Sequence, residues 1–433
     1  MSRKSLMVIL AMTAASATVL AGCGQAGESD GEDEGGGDGS TTQLTMWTHS
    51  AGNPAELEVY EQIIADFNGS QDDYEVVMES FPQGAYNDAI VAGAAAGDLP
   101  CLLDMDGPIV PNWAWAGYIQ PLGISEEITN ELLDTAVGTY QGEVYSAGYW
   151  DAALSIFARE SVLNDNGIRI PSTDEPWTRD EFDQALVTLQ GAGYDTPLDI
   201  GAEDTGEWWP YAYSPMLQSA GGDLIDRDSY LTAEGELNGP EAVEFFEWFQ
   251  SLFERGLTSD AGTIGNEEFN NDEVALSYTG VWNAMGSLDA VGDDLLILPP
   301  PDLGEGPKIG GASWQWGISA ECDAVDGARA YLEYSFADEY IAQFADNQVV
   351  IPATPGAEEL SEMFGEGDPL QPFVELSQMY AVLRPPTPAY SVISSVFERA
   401  AKDIMNGADV ESTLDQAVQE IDTNIESNDG YGF

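Results

Sequence analysis

Residues 43–105 alternate between two hydrophobic periods, and that alternation narrows the possible folds more than any other feature of this 433-residue chain. Gln43-Leu44-Thr45-Met46-Trp47 reads as a strand. From Pro54 to Phe67 the spacing turns helical, with Leu57, Tyr60, Ile63, Ile64 and Phe67 on one face. Tyr74 to Met78 is a second strand, Tyr86 to Ala96 a helix of small residues ended by Gly97, and Leu99 to Met105 a third strand. Two β-α-β units in succession imply a parallel sheet with helices packed on it. The same reading predicts helices over 178–192, 239–255, 326–338, 390–407 and 409–427, and strands from Val274 to Tyr278 and from Leu295 to Leu298. Apolar residues make up 43% of the chain, enough for real cores, and the length exceeds what one core usually supports, so two domains are expected.

Charge removes whole classes of partner. There are 77 acidic side chains against 12 basic ones, a formal net charge of −65. Nucleic acid is excluded, because phosphate binding needs basic patches. Self-repulsion at this charge loosens a compact fold in dilute buffer, whereas in ~1 M salt the Debye length is roughly 3 Å and the repulsion is screened. The acids run along the whole chain, so the surface reads as halophilic, adapted to a salty exterior. Asp104-Met105-Asp106-Gly107 fails as a calcium loop, since Leu102 stands where an oxygen ligand is required. No metal site or cofactor is expected.

The N-terminus reads as an export signal. Arg3 and Lys4 form a basic start, and Leu6 to Leu20 is an apolar run too short to span a membrane. Leu20-Ala21-Gly22-Cys23 resembles the lipobox of bacterial lipoproteins. That resemblance implies a signal peptide over 1–22, acylation of Cys23 and anchoring to the outer face of a membrane. Residues 24–42 carry almost no apolar content, so 23–42 is expected to be a lipidated cysteine followed by a flexible acidic linker.

Five stretches then carry a more specific resemblance: GDLPCLLDMDGPIVPNWAWAGYIQPL (97–122), GEVYSAGYWDAALSIFARESVLNDNGI (142–168), ALSYTGVWNAMG (275–286), GGASWQWGIS (310–319) and NQVVIPATPG (347–356). In this order they are similar to extracellular solute-binding proteins of the maltose-binding type, the lipoprotein components of sugar ABC importers. The resemblance implies an α/β, two-lobed, periplasmic-binding-protein-like fold of type II, each lobe a mostly parallel sheet flanked by helices. It places one lobe at 43–152 plus 315–352 and the other at 153–314 plus 353–433. It further implies a ligand in the interlobe cleft, and permease subunits that recognise the closed form. A monomer, extracytoplasmic and held by its lipid, is expected.

The residue types agree with a sugar site. Sugars present hydroxyls at their edges and apolar C–H faces, so they call for aromatic plates with carboxylates and amides. The chain has 11 Trp. Trp47, Trp150, Trp209, Trp282 and Trp314 fall at predicted strand ends or loops and are candidate plates, whereas Trp113, Trp115 and Trp248 read as core. In Ser313-Trp314-Gln315-Trp316, period two puts both indoles on one face of a strand, so one can stack on ligand while the other packs inside. Asp106 follows the third strand, where open parallel sheets place their ligands. Asp151, Asn53, Gln83, Tyr86 and the rare base Arg384 complete the candidate ligand-binding set, and Asp104 reads as structural.

Two rival functions stay open: a binder of peptide or another small solute on the same fold, and a lipid-anchored glycosidase. The second finds little support. His49 is the single histidine, no nucleophile-elbow, zinc-protease or P-loop pattern occurs, and an acid pair means nothing among 77 acids. Cys101 and Cys322 are left over once Cys23 is acylated. In proteins of the resembled family the returning strand lies antiparallel beside the third strand, which would bring these two together as a disulfide; two buried free thiols are the alternative.

Overall fold

The computed structural model describes residues 41–433 apart from Ala312. The signal peptide, Cys23 and the acidic linker up to Ser40 lie outside the described residues.

The predicted opening holds. Strand β1 (Thr42–Thr48), helix α1 (Pro54–Ser70), β2 (Tyr74–Ser80), α2 (Gln83–Ala96) and β3 (Leu102–Asp106) follow one another. Asn53 caps α1, its side chain accepting from Glu56 N at 3.4 Å, and Pro54 fills the first helical position where its missing N–H costs nothing. Gly97 ends α2 in the left-handed region, at φ 72°. β3 starts at Leu102 rather than Leu99. Pro100 has no N–H for a ladder, and the Leu99 N–H is taken by the Glu321 carboxylate at 2.8 Å.

β1 lies between β2 and β3 and is parallel to both. The returning strand Trp314–Ser319 runs antiparallel beside β3, with Trp314 opposite Asp106 and Ile318 opposite Leu102. Strands Glu143–Ala147 and Val137–Tyr140 continue this sheet. A second sheet has the order Leu295–Leu298, Leu154–Arg159, Leu276–Gly280, Leu198–Asp199. Both sheets mix parallel and antiparallel neighbours where mostly parallel ones were expected, because chain returning from one region to the other enters as an antiparallel neighbour.

The cores follow the sheets. One face of the first sheet buries Met46, Tyr60, Ile63, Trp316, Tyr331 and Phe344, drawing on residues 44–149 and 316–357. Its other face buries Tyr86, Leu103, Met105 and Trp113. A larger core holds Phe157, Trp209, Phe246, Phe249, Tyr278 and Phe397, drawn mainly from 152–309 and 364–431. Between them, Trp150–Asp151 pairs antiparallel with Ile351–Pro352, and Ile309–Gly310 pairs with Ala381–Val382.

Five helices sit close to their predicted places: Arg179–Ala192, Pro240–Glu254, Val325–Ser335, Tyr390–Met405 and Val410–Ser427. Helices Trp208–Ser219, Asp338–Gln348 and Gln371–Tyr380 escape the sequence reading. Nearly every residue of Trp208–Ser219 is buried, so it shows no amphipathic period to read. Trp115 corrects another expectation. It is 43% exposed and rests edge-on against Tyr431, while Trp113 is buried at 2%. Cys101 and Cys322 form the disulfide, with Cα atoms 4.4 Å apart. Among the described residues no helix is long and apolar enough to cross a membrane.

Candidate functional site

A cavity of about 520 Å³ opens between the two cores, lined by side chains from both and by Trp150 from a connecting strand.

Its first wall is built at the C-terminal ends of β1 and β3. Asp104, fully buried, accepts from Thr48 Oγ1 at 2.8 Å and from the His49 N–H at 3.2 Å, and pairs with His49 Nδ1 at 2.7 Å. The His49 ring lies flat against Trp314, with centroids 3.5 Å apart and planes at 14°. Its Nε2 is 3.9 Å from Glu56. Burial opposes a charge on His49, but Asp104, Glu56 and Asp106 outweigh it and raise the imidazole above its ordinary value. Burial also pushes the Glu56 carboxyl up. Glu56 is held by Tyr60 Oη at 3.1 Å and Asn53 Nδ2 at 3.2 Å, and the Asn53 amide also donates to Gln348 at 2.9 Å.

The second wall begins a helix. Glu207 precedes Trp208, and Tyr211 lies one turn on. Trp208 meets Trp282 edge-on at 6.4 Å, and Tyr211 donates from its hydroxyl to Ala152 O at 2.9 Å. Asp204, Thr205 and Ile264 complete this side. Arg384 ties the walls together. Its guanidinium donates two bonds of 3.1 Å to Asp106 and one of 2.7 Å to Glu207, over the Tyr211 ring. Glu207 is held further by Tyr390 Oη at 2.6 Å and by the Ser394 hydroxyl. Burial raises the Asp106 carboxyl, Arg384 opposes this, and the two acids hold the guanidinium firmly charged.

Seven of the sequence-predicted residues line the cavity: Asn53, Gln83, Asp106, Trp150, Trp282, Trp314 and Arg384. Four do not. Trp47 points to the other face of β1 and packs on Phe81 at 4.9 Å. Tyr86 is buried, its hydroxyl donating to Trp47 O and accepting from Asp104 N. Asp151 is buried in the connecting strand and accepts from Ser377 Oγ at 2.6 Å. Trp209 is buried with its indole N–H on Asp204 O, because adjacent helical residues point about 100° apart and Trp208 takes the cavity side.

Sequence reasoning passed over His49, Glu56, Glu207, Trp208, Tyr211 and Gln348. His49 carried a usable signal, since it directly follows β1 at the sheet's carboxyl edge. Gln348 sits on a helix whose existence was not read.

Residues 62–368 match the sequence pattern of the family described as bacterial extracellular solute-binding protein. The uncharacterized lipoprotein in the oleD 5′ region of Streptomyces antibioticus is 21% identical over 356 residues, spanning 77% of this chain and 73% of that one. The cyclic alpha-maltosyl-1,6-maltose binding protein from Arthrobacter globiformis superposes with a TM-score of 0.75 at 20% identity, covering 90% of this chain and all 100% of that one. The GacH receptor of Streptomyces glaucescens, solved unliganded and with acarbose, gives 0.72 at 18% identity over 90% and 98%. The maltose/maltodextrin-binding domain MalE from Bdellovibrio bacteriovorus, bound to maltotriose, gives 0.71 at 16% over 89% and 100%. At these identities the likeness is one of fold, the two-lobed α/β architecture.

Proposed function

The chain belongs to the bacterial extracellular solute-binding protein family, a family of binding proteins rather than enzymes, and on that premise we propose that its cavity receives a carbohydrate and that the loaded form delivers it to an ABC-type permease. The observation that carries this reading is the composition of the cavity. Aromatic faces at Trp150, Trp208, Tyr211, Trp282 and Trp314 alternate with the amides and carboxylates of Asn53, Gln83, Gln348, Asp106 and Glu207. Such a lining suits the apolar faces and hydroxyl edges of a sugar ring. The sugar ligands named for the three structural relatives support the same class. Peptide capture is disfavoured, because Arg384, the cavity's only lysine or arginine among the described residues, is already engaged by Asp106 and Glu207.

In this proposal residues 43–152 plus 315–352 form one lobe and 153–314 plus 353–433 the other, closing about the paired strands near Trp150 and Ile351. The chain is exported, acylated at Cys23, and works as a monomer outside the cell on an acidic tether, its surface suited to high salt. A thermal-shift screen in molar salt tests the ligand class. Linear or cyclic glucans, or other sugars, should raise the melting temperature; stabilisation by peptides alone would overturn the sugar reading. Cys23→Ser should release the protein from membranes, and an unchanged membrane fraction would refute the anchor.

A further inference from the structure

His49 is the single histidine of the chain, and the structure buries it in the cavity wall against Asp104 and Trp314. Its ring covers one face of Trp314, parallel to it and 3.5 Å away. Both rings line the cavity, so the indole can offer a ligand only its remaining face and its edges. We propose that His49 is a positioning residue for this plate: as an imidazolium it clamps the Trp314 indole by a cation–π stack, and on losing its proton it loosens the plate. This deepens the carbohydrate reading and rests on it for the ligand, though not for the clamp.

Every charged group facing the ring favours the cation. Asp104 of β3 pairs with Nδ1 at 2.7 Å and also accepts from Thr48 Oγ1 and the His49 N–H, so its carboxylate is aimed at the ring. Glu56 of α1 lies 3.9 Å from Nε2. Asp106, two residues along β3, adds a weaker pull while itself bound to Arg384. From α2 the ring meets Tyr86, an uncharged neighbour at 6.3 Å. A cation stacked on indole is held by the ring's negative face, most strongly where both partners are desolvated. Asp104 holds the ring from β3, and the pairing of Trp314–Ser319 with β3 sets the backbone from which the indole projects. Placing a lone imidazole between three carboxylates and a tryptophan face stabilises one geometry of that face at neutral pH. The sign follows from the raised proton affinity: the stabilisation is complete below the ordinary histidine value of 6.5 and disappears as pH rises through the higher folded value.

A single histidine makes the test direct. In ligand-free protein in molar salt, the one imidazole Cε1–H resonance should sit upfield, shifted by the indole, and titrate with a midpoint above 6.5. Tryptophan emission should change with the same midpoint. Trp314→Phe should remove the emission step and reduce the upfield shift. His49→Gln, which keeps a hydrogen-bonding group toward Asp104, should also remove the step. A midpoint at or below 6.5, or an emission step that survives in His49→Gln, would overturn the proposal. With any sugar found by the screen, affinity should fall several-fold across that midpoint in the native chain and stay flat in His49→Gln. Should the resonance titrate as described while sugar affinity ignores pH, the stack exists but positions nothing, and the proposal fails. A chain that shows the step yet binds no sugar in the screen instead refutes the carbohydrate reading.

Discussion

The two walls of the cavity solve the same problem differently. On the first, buried acids are tied down one by one: Asp104 by Thr48 and His49, Glu56 by Tyr60 and Asn53. The frame behind it is stapled too, since the disulfide joins the start of β3 to the chain just beyond the returning strand. The second wall is mostly aromatic surface, with Trp208, Tyr211 and Trp282 near one another and Glu207 reaching back to Arg384. In the core behind it, Asp199 is buried with Oδ2 lacking any hydrogen-bond partner among the described residues. The first wall is built mainly from polar groups that fix one another. The second supplies apolar contact area, its Glu207 held by Tyr390 and Ser394 and joined through Arg384 to Asp106 opposite.

Four experiments press on that contrast. The largest effect should come from reducing the disulfide, which closes a loop of 221 residues. Chain entropy puts its worth at up to ~5 kcal/mol, an upper figure. Denaturation under reducing conditions should show early loss of the first sheet while sugar affinity in native conditions barely changes; equal loss from both cores would erase the distinction.

Arg384→Met comes next. It leaves Asp106 and Glu207 facing each other across the cavity without their cation, and breaking a buried pair from one side costs ~3–5 kcal/mol. Urea unfolding in molar salt should register that loss, and Asp106→Asn in the same background should recover part of it. A loss under ~1 kcal/mol would mean the walls are not joined through this group.

Trp282→Ala and Trp314→Ala sample one plate from each wall and should each weaken binding by ~1–3 kcal/mol. Titration calorimetry separates them further. The Trp314 loss should vary with pH, through His49, and the Trp282 loss should not.

The smallest effect is a gain. Burial raises the Asp199 carboxyl to about 6 from its ordinary 3.8. A raised acid favours the folded state below its unfolded value and loses that advantage as pH climbs through the folded one. Asp199→Asn should therefore be more stable than the native chain by ~1–2 kcal/mol above pH 7, with the difference closing as pH falls to 4. A constant difference across that range would assign the effect to something other than ionisation.

The sequence was most legible where period and punctuation coincide. β1 to β3 are bounded by Pro54, Gly97 and Pro100, and their limits came within three residues. Period two could not tell Trp314 from Trp316: Trp314 reaches the cavity, whereas Trp316, two residues deeper along the strand, packs against Tyr60 at 5.1 Å. What sequence could not show was pairing across distance. Asp106 and Arg384 are 278 residues apart, and nothing local in either announces the other. It also could not orient Trp208 against Trp209, since the helix they begin has no polar face to give a phase. His49 was set aside for lacking catalytic companions, and its stacking partner lies on the distant returning strand.

The position of that returning strand bears on how the chain is made. In space Trp314–Ser319 lies inside the first sheet, between β3 and Glu143–Ala147; in sequence it is the last of the sheet's strands. A chain growing from its N-terminus thus presents β3 and Glu143–Ala147 with unpaired edges while the segment from Leu154 to Ile309 is still being added. Much of the second sheet and its helices is complete before the first sheet can close. Open strand edges invite pairing with the wrong partner, so this interval exposes the chain to mispairing. Synthesis halted between the two would leave β3 unstapled, since Cys322 arrives only after the strand that fills the gap.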